Sequence, residues 1–428
     1  MAKWRGFGGV VGAVLVILQL LTGVALAVPD QPIYKPQYEY PVLEELRKER
    51  EAQQAIEDSL QELVDERYKK EEQLKKKEEM SLRLDWSLID KPSGPEAFPS
   101  AFHFPPVPQY ASGTCWAFCS VSFFETEIQR LTGQEIKLSE MWVVYWEFVE
   151  KVRHYVQNYG HSNFSVGSQD QATREIFRTY GAVPAEVYKG ATSKDGRHDH
   201  SQLGQELRSY LAWVEENGFW DEKKVISYTR TILDKYLGEP PVTFTYIEKT
   251  YTPKSFAADV LKLSLDDYIC LVSTSKKPFG KFILHDVFDN WRRSEDYLNL
   301  PLDDYYQIIR SAIIDGYTVS LGVDVSEPGM DGFEDAAVIP SWDIPSEFIN
   351  QGSREFRIDN ETTTDDHGVH VVGYLNHNGQ DWYLIKDSNR SSRLGKFKGY
   401  YFYHGDYIKL KTLSLMIHKD RLEKILKD

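Results

Sequence analysis

Gln109-Tyr-Ala-Ser-Gly-Thr-Cys115-Trp-Ala-Phe118 is the stretch on which the fold turns. A loop containing Gly113 feeds into apolar positions at Ala117, Val121, Phe124, Ile128 and Leu131. That alternation of four- and three-residue steps is the period of one helix face. Gly133 marks the end, because glycine reaches the left-handed conformation that closes a helix. Cys115 therefore falls in the first turn. The partial positive charge of a helix start favours thiolate over thiol, and thiolate is the reactive form. A cysteine alone reads more readily as inert core. Gln109, just ahead of the loop, changes that reading. Its side-chain amide and the Cys115 backbone N–H together offer donors for an oxyanion.

A thiolate nucleophile needs a base, and the base needs an orienting group. Asp366-His367-Gly-Val-His-Val-Val-Gly-Tyr374 has the texture of a strand. Asn376-His377-Asn378-Gly379 reads as a hairpin turn, and Asp381-Trp-Tyr-Leu-Ile-Lys-Asp387 as the return strand. A turn centred on His377 sets His367 opposite Asp387. Directly opposed residues have Cβ atoms about 4.5–5.5 Å apart, close enough for a carboxylate to orient an imidazole. The same register puts His370 opposite Leu384, on the other strand face from His367, as a structural residue.

Outside these segments, composition narrows the classes. The chain has 428 residues, 41% of them hydrophobic and 27% charged, which suits packed domains and excludes a wholly disordered or collagenous chain. At about 100–200 residues per domain, two to three folding units are expected. The net charge of −15 repels phosphate backbones, so nucleic acid is not an expected partner. Three cysteines allow at most one bridge. Cys119 and Cys270 read as core, with a bridge between them left open. His198-Asp199-His200 has no third ligand nearby and reads as a solvated loop. No metal or cofactor is expected.

Lys3 and Arg5 precede an apolar run from about Phe7 to Leu21, and Ala25-Leu26-Ala27 fits signal-peptidase cleavage. Residues 1–27 are thus expected to be a signal peptide cut after Ala27, giving a secreted or periplasmic protein. The rival is an uncleaved membrane anchor. Gly6, Gly8, Gly9 and Gly12 weaken it by lowering hydrophobicity. No later segment could span a membrane. Residues 28–81 follow as a charged segment. Leu43, Leu46, Ile56, Leu60, Leu63 and Leu74 give it only a thin apolar stripe, so a solvated helical stalk is expected, with a pro-segment as alternative. Loop signals such as Lys91-Pro92-Ser93-Gly94-Pro95 open a globular part over 82–428. Helices are expected over about 138–156, 169–180 and much of 200–264. Strand-like runs begin at Tyr268. Helices first and strands second make an α+β protein with two lobes.

The residues resemble the papain-like cysteine peptidases. The resemblance rests on Gln109, on Cys115-Trp116-Ala117-Phe118, on His367 ahead of Gly373-Tyr374, and on Lys386-Asp387-Ser388. It is closer still to the bleomycin hydrolase and aminopeptidase C branch. Leu138-Ser139-Glu140, Gly167-Ser168-Gln169, Tyr180-Gly181-Ala182-Val183-Pro184 and the run from Asp315-Gly316 to Val325 look like that branch. The resemblance covers about residues 84–420. It implies a helical lobe carrying the cysteine, an antiparallel β lobe carrying the histidine, and a helical insertion at about 196–265. It also implies Cys115 as nucleophile, His367 as base and then acid, Gln109 as oxyanion donor and Asp387 as the orienting group. Gly167 and Ser168 are the implied contact for an extended peptide substrate, and oligomers occur in the branch. Three departures stand out. Asp387 replaces the usual asparagine, Asn389-Arg390 replaces a shielding Trp-Gly, and Ser112 stands where secreted relatives often have a disulfide cysteine.

A secreted cysteine peptidase is the leading expectation. Two alternatives stay open: another Cys-His-Asp acyl-transfer enzyme of transglutaminase type, and an inactive papain-like binding module. In the branch, a C-terminal arm enters the cleft and pairs with the substrate amine. Here Leu422, Ile425 and Leu426 follow the last strand with the spacing of a short surface helix. An open cleft and cleavage within chains are expected.

Overall fold

Opposite periodicities organise this chain. The computed structural model describes residues 35–36, 38, 40–78, 80, 82–190 and 196–425. The leader over 1–27 lies outside them. The chain divides into two units, Met1–Ser81 and Leu82–Asp428. In the first, α1 (Pro41–Glu78) is a 38-residue helix. Val42, Leu46, Ile56, Leu60 and Leu63 on it are exposed, and pairs such as Arg47–Glu44 and Arg67–Glu71 run along its surface. Among the described residues, no helix is long and apolar enough to cross a membrane.

The second unit opens with helices. They are α2 (Cys115–Thr132), α3 (Glu140–Gln157), α4 (Gln171–Tyr180), α5 (Ser201–Glu216) and α6 (Glu222–Leu237). Gly133 closes α2 at φ 72°, where a side chain would be strained. Ser139 caps α3 by accepting from the Trp142 N–H at 3.0 Å, a bond worth about 1 kcal/mol. Helix α2 is buried nearly all round, from Trp116 to Ile128. Its Phe123, Phe124 and Ile128 join a core with Met141, Trp142 and Val144 of α3 and Ile176 of α4. Burying each such side chain contributes about 1.5–3 kcal/mol.

Residues 200–264 are less helical than expected. After Pro240-Pro241 the chain forms a hairpin, β1 (Phe244–Tyr246) with β2 (Lys249–Tyr251). Phe244, Tyr246 and Tyr251 each pack on Phe256, with ring centroids 5.3, 5.0 and 5.9 Å away. That aromatic cluster outweighs helix propensity here.

Ten strands make the second lobe. They are β3 (Tyr268–Val272), β4 (Lys281–Ile283), β5 (Tyr297–Asn299), β6 (Val319–Val323), β7 (Met330–Asp331), β8 (Ala336–Ala337), β9 (His367–His377), β10 (Gln380–Lys386), β11 (Tyr400–His404) and β12 (Thr412–His418). Their order is β4-β5-β3-β12-β6-β9-β10-β11-β8-β7. The expected antiparallel lobe needs one amendment: β3 with β5 and β11 with β8 are parallel. The first of these crosses back through the short edge strand β4, so parallel pairing needs no long helix there. One face of the sheet packs with α2, through Tyr268, Cys270, Val272 and Met416. The other packs on α7 (Leu302–Ile314), through Leu321, Val369, Val371 and Leu415. Helix α2 thus lies between the helical core and the sheet, with its first turn at one end of β9.

The β9–β10 hairpin departs from the expected register. His377 pairs with Gln380, and Asn378 and Gly379 make the turn at φ 52° and 86°. Asn and Gly tolerate these angles best, so the turn sits on them and not on His377. Tyr374 consequently faces Tyr383, and a bulge between Leu384 and Ile385 brings His370 opposite Lys386. His370 does not face Leu384, and His367 has no directly opposed partner in this ladder.

The segment after β12 forms α8 (Lys419–Ile425). Leu422 enters the core around α7, and Arg421 pairs with Asp315 at 2.5 Å. Thr412 and His367 both pair with Val323, at one end of the sheet. Six residues of β12 then run the other way, about 20 Å at strand rise. Helix α8 therefore starts at the sheet end remote from His367.

Candidate active site

The loop before Cys115 is fixed from both sides. The Gln109 N–H donates to Ser388 O at 2.9 Å, which ties the loop to the residue after Asp387. Gln109 Oε1 accepts from the Ser388 hydroxyl at 3.4 Å. The Ser112 and Thr114 hydroxyls bond each other at 2.7 Å, and Thr114 makes no side-chain cap on α2. Trp116 Nε1 donates to Val166 O at 3.0 Å, holding the segment that continues into Gly167-Ser168 against the helix start.

Strand β9 approaches the same turn through Gly368. A Cβ there would lie 3.2 Å from Trp116 Cα and 3.3 Å from Trp116 N, tighter than ordinary contact. Glycine lets the strand reach the helix backbone, and that approach delivers His367 to Cys115. His367 Nε2 lies 2.9 Å from Asp387 Oδ1, and Cys115 is close enough to act on the imidazole electrostatically. With Nε2 on the carboxylate, Nδ1 is the nitrogen left for the thiol. The diagonal reach replaces the direct opposition expected from sequence, with the same two residues meeting.

The pair is dry. The His367 and Asp387 side chains are 3% and 0% exposed. Burial alone would push the imidazole pKa down. The Asp387 carboxylate and Cys115 outweigh it, and His367 is held well above the ordinary histidine range. The lost Trp-Gly shield is therefore not needed to exclude water. Asn389 contributes differently, its N–H donating to the same Asp387 Oδ1 at 2.6 Å.

Cys115 is half-buried, whereas Cys119 and Cys270 are buried, and all three are free thiols. Cys119 shares a hydrogen bond of 2.8 Å with Ser320, and burial pushes its thiol well up. Burial pushes Cys270 up to about 12. Neither joins the site, and the bridge left open by the sequence is not formed. His370 is buried against α2 and bonds Ser122 at 2.9 Å.

Gly167 and Ser168 line a pocket together with Cys115 and His367. Ser168 also donates to Glu147 at 2.5 Å. Sequence reasoning missed the acidic lining of this pocket: Asp170, Asp289, Asp365 and Asp366. Asp365-Asp366 directly before His367 was the available signal. The solvated loop expected at His198-Asp199-His200 is corrected as well. Asp199 bridges Ala111 of the Cys115 loop, and His200 is buried, its pKa lowered to about 4 by burial first and His198 next. No cluster of three or more metal-ligating side chains occurs among the described residues.

Residues 103–428 match the model of the Peptidase C1-like family. No curated protein matches significantly. Among solved structures, PepW from Lactobacillus rhamnosis HN001 is similar, with a TM-score of 0.60 and 18% identity over 77% of this chain and 84% of that one. Digestive procathepsin L 3 of the Tenebrio molitor larval midgut aligns at a TM-score of 0.34 and 15% identity, over 79% of this chain and 74% of that one. The family match spans most of the sequence. The chain belongs to the Peptidase C1-like family and has its papain-like, two-lobe α+β fold.

Proposed function

We propose that this member of the Peptidase C1-like family is an exported cysteine peptidase working through Cys115, His367, Asp387 and Gln109. The observation that carries the reading is the buried His367 held between Asp387 at 2.9 Å and Cys115. A cationic imidazole beside the sulfur keeps a thiolate paired and ready. Its Sγ attacks the scissile carbonyl carbon, and the Cys115 N–H at the uncapped helix start, with the Gln109 amide, receives the oxyanion. The C–N bond breaks as His367 passes its proton to the leaving amine. Neutral His367 then takes a proton from water, whose oxygen attacks the thioester, and the acid leaves with thiolate and imidazolium restored. Asp387 holds the imidazole and its charge without taking a proton.

Gly167-Ser168, tied to the helix start through Trp116, serves as the edge on which an extended peptide lies. As far as Leu422, the segment after β12 packs with the α7 core, which supports cleavage within chains. Residues 1–27 act as a cleaved leader and residues 28–81 as a stalk. The transglutaminase-type alternative has less support, because the family match runs through both catalytic segments.

Peptide-library cleavage by the mature chain tests the activity, with Cys115→Ala as control. Mass spectrometry of the exported product tests the leader: a first residue of Val28 is expected, and an intact Met1 would overturn it. An N-acetylated peptide and its free-amine twin test the mode. Cleavage of only the free-amine twin, surviving removal of residues 28–80, would overturn cleavage within chains.

A further inference from the structure

Two legs of similar length join behind the catalytic atoms. Ser122 lies seven residues after Cys115 on α2, about 10 Å at helix rise. His370 lies three residues after His367 on β9, about 10 Å at strand rise. Helix and strand come together at both ends. Cys115 acts on His367 at one, and the Ser122 hydroxyl lies 2.9 Å from His370 Nδ1 at the other.

Strand β10 closes the figure. Lys386, its last residue and the one before Asp387, donates from Nζ to the same Ser122 hydroxyl at 2.8 Å. Among the described residues this is the one hydrogen bond of that ammonium. Lys386, Ser122 and His370 are 7%, 4% and 0% exposed. An ammonium only donates, so the Ser122 oxygen accepts there. Its own proton is then available to Nδ1 of His370, which burial first, and Lys386 next, keep neutral. The β9–β10 ladder ends on the Lys386–His370 pair, just past the bulge that resets its register. A slip of one residue would turn Ile385 or Asp387 toward α2 and leave the buried ammonium without this acceptor. The bond to Ser122 thus selects the register in which Asp387 reaches His367.

We propose that Ser122 is a positioning residue: its hydroxyl, bonded to β9 and β10 at once, sets how Cys115 on α2 meets the His367–Asp387 pair. The inference rests on the peptidase reading and adds a determinant of its geometry. Ser122 sits two helical turns from the sulfur and acts through His370 and Lys386. Misplacing a reacting group by about 1 Å can lower a rate on the order of a hundredfold. Cys119, nearer the nucleophile, has no such part, because its bond goes to Ser320 on β6, which bears no catalytic side chain.

The test is a pair of isosteres. Ser122→Thr keeps the hydroxyl and Ser122→Val removes it at nearly the same volume, so any overpacking is common to both. Turnover is measured on a peptide that the wild type cleaves, per molecule folded by near-ultraviolet circular dichroism. In Ser122→Val kcat should lie at least about fivefold below that of Ser122→Thr, with KM within threefold. Alkylation of Cys115 by iodoacetamide at pH 6, located by peptide mapping, should slow as well, since a displaced imidazolium no longer pairs with the thiolate. A merely structural hydroxyl would lower the melting temperature and leave both rates alone. A smaller ratio, an unchanged alkylation rate or a loss carried by KM overturns the inference, while the peptidase reading stands. Should either isostere fail to fold, Ser122→Ala combined with Lys386→Met removes the hydroxyl and the buried charge together. Its kcat should lie at least about fivefold below wild type, and a smaller loss overturns the inference. No cleavage of any peptide by the wild type, with Cys115 unreactive toward iodoacetamide, would overturn the peptidase reading and the inference with it.

Discussion

The helix start that carries Cys115 and the strand end that carries His367 reach the same point by different means. Cys115 is placed by local sequence: a glycine loop, a three-and-four apolar stripe and a glycine stop at Gly133. His367 is placed by partners distant in sequence: Val323 on β6, the Trp116 backbone pressed on Gly368, and Asp387 across a bulged hairpin. Local rules fix where a helix begins to within a residue or two. A strand's position instead depends on a register that any bulge resets. The comparison also runs along α2 itself. Cys115 in the first turn meets an imidazolium, while Cys119 one turn later meets only Ser320 and core.

That contrast predicts the largest effect. Cys115→Ala should lower kcat/KM by at least ~10^4-fold, the scale seen when a nucleophile is removed. Cys119→Ala should leave turnover near wild type and cost about 1 kcal/mol of stability through its lost hydrogen bond. Iodoacetamide at pH 6 should label Cys115 and spare the other two, whose thiols burial holds protonated. Equal labelling of Cys119 would mean that the first turn confers no special reactivity.

The next effect tests the sheet-borne half. Asp387 Oδ1 accepts from both His367 Nε2 and the Asn389 N–H, while Oδ2 has no partner. An asparagine can keep both bonds with its carbonyl. Asp387→Asn should therefore stay within about tenfold of wild type, roughly 1.4 kcal/mol. Asp387→Ala leaves the imidazole without an acceptor and should lose a hundredfold or more, on the order set by losing an orienting group. Equal damage from both changes would show that the charge itself is indispensable.

The charge also sets pH behaviour. His367 is raised above its unfolded value near 6.5, so the pair's contribution to stability is complete below about pH 6.5. It fades as pH rises through the higher folded value. The alkaline limb of kcat/KM should follow the same group. Asp387→Asn removes a principal cause of the raised pKa, so that limb should move to lower pH. An unmoved limb in a pH profile of the variant would mean that Cys115, not Asp387, holds the imidazolium.

These outcomes bear on how much the sequence discloses. Periodicity and caps are local, so α2, its glycine stop and the first-turn place of Cys115 are legible. The identity of the His367–Asp387 pair is legible too, because a hairpin confines its partners. Its geometry is not. A centre on His377 overlooked that Asn378-Gly379 fits the tight turn better, and the bulge beyond Leu384 leaves no simple mark in sequence. The acidic pocket was invisible for a related reason. Asp170, Asp289 and Asp365 come from three separate segments, and Gly167 and Gly322 leave the room that Asp289 and Asp365 occupy. His198 and His200 look solvated among charged neighbours, yet the segment bridges to Ala111 and His200 is buried.

The smallest effect asks whether the hairpin turn or the sheet holds the catalytic register. Gly379 sits at φ 86°, with nothing within 4 Å of a Cβ placed on it. Gly379→Ala therefore meets no clash and costs only the left-handed backbone penalty, about 1–2 kcal/mol. In a unit of this size the melting temperature should fall by about 1–3 °C. Activity should not follow. Between the turn and His367 lie the bulge at Leu384/Ile385 and the five-residue pairing of β6 with β9, from Val319↔Val371 to Val323↔His367. A slipped or frayed turn is absorbed at the bulge, while β6 keeps His367 in register. Thermal melts and kcat/KM measured on one preparation separate the two cases. A tenfold loss of kcat/KM accompanying the small drop in melting temperature would show that the turn, twelve residues along the strand, governs the site after all.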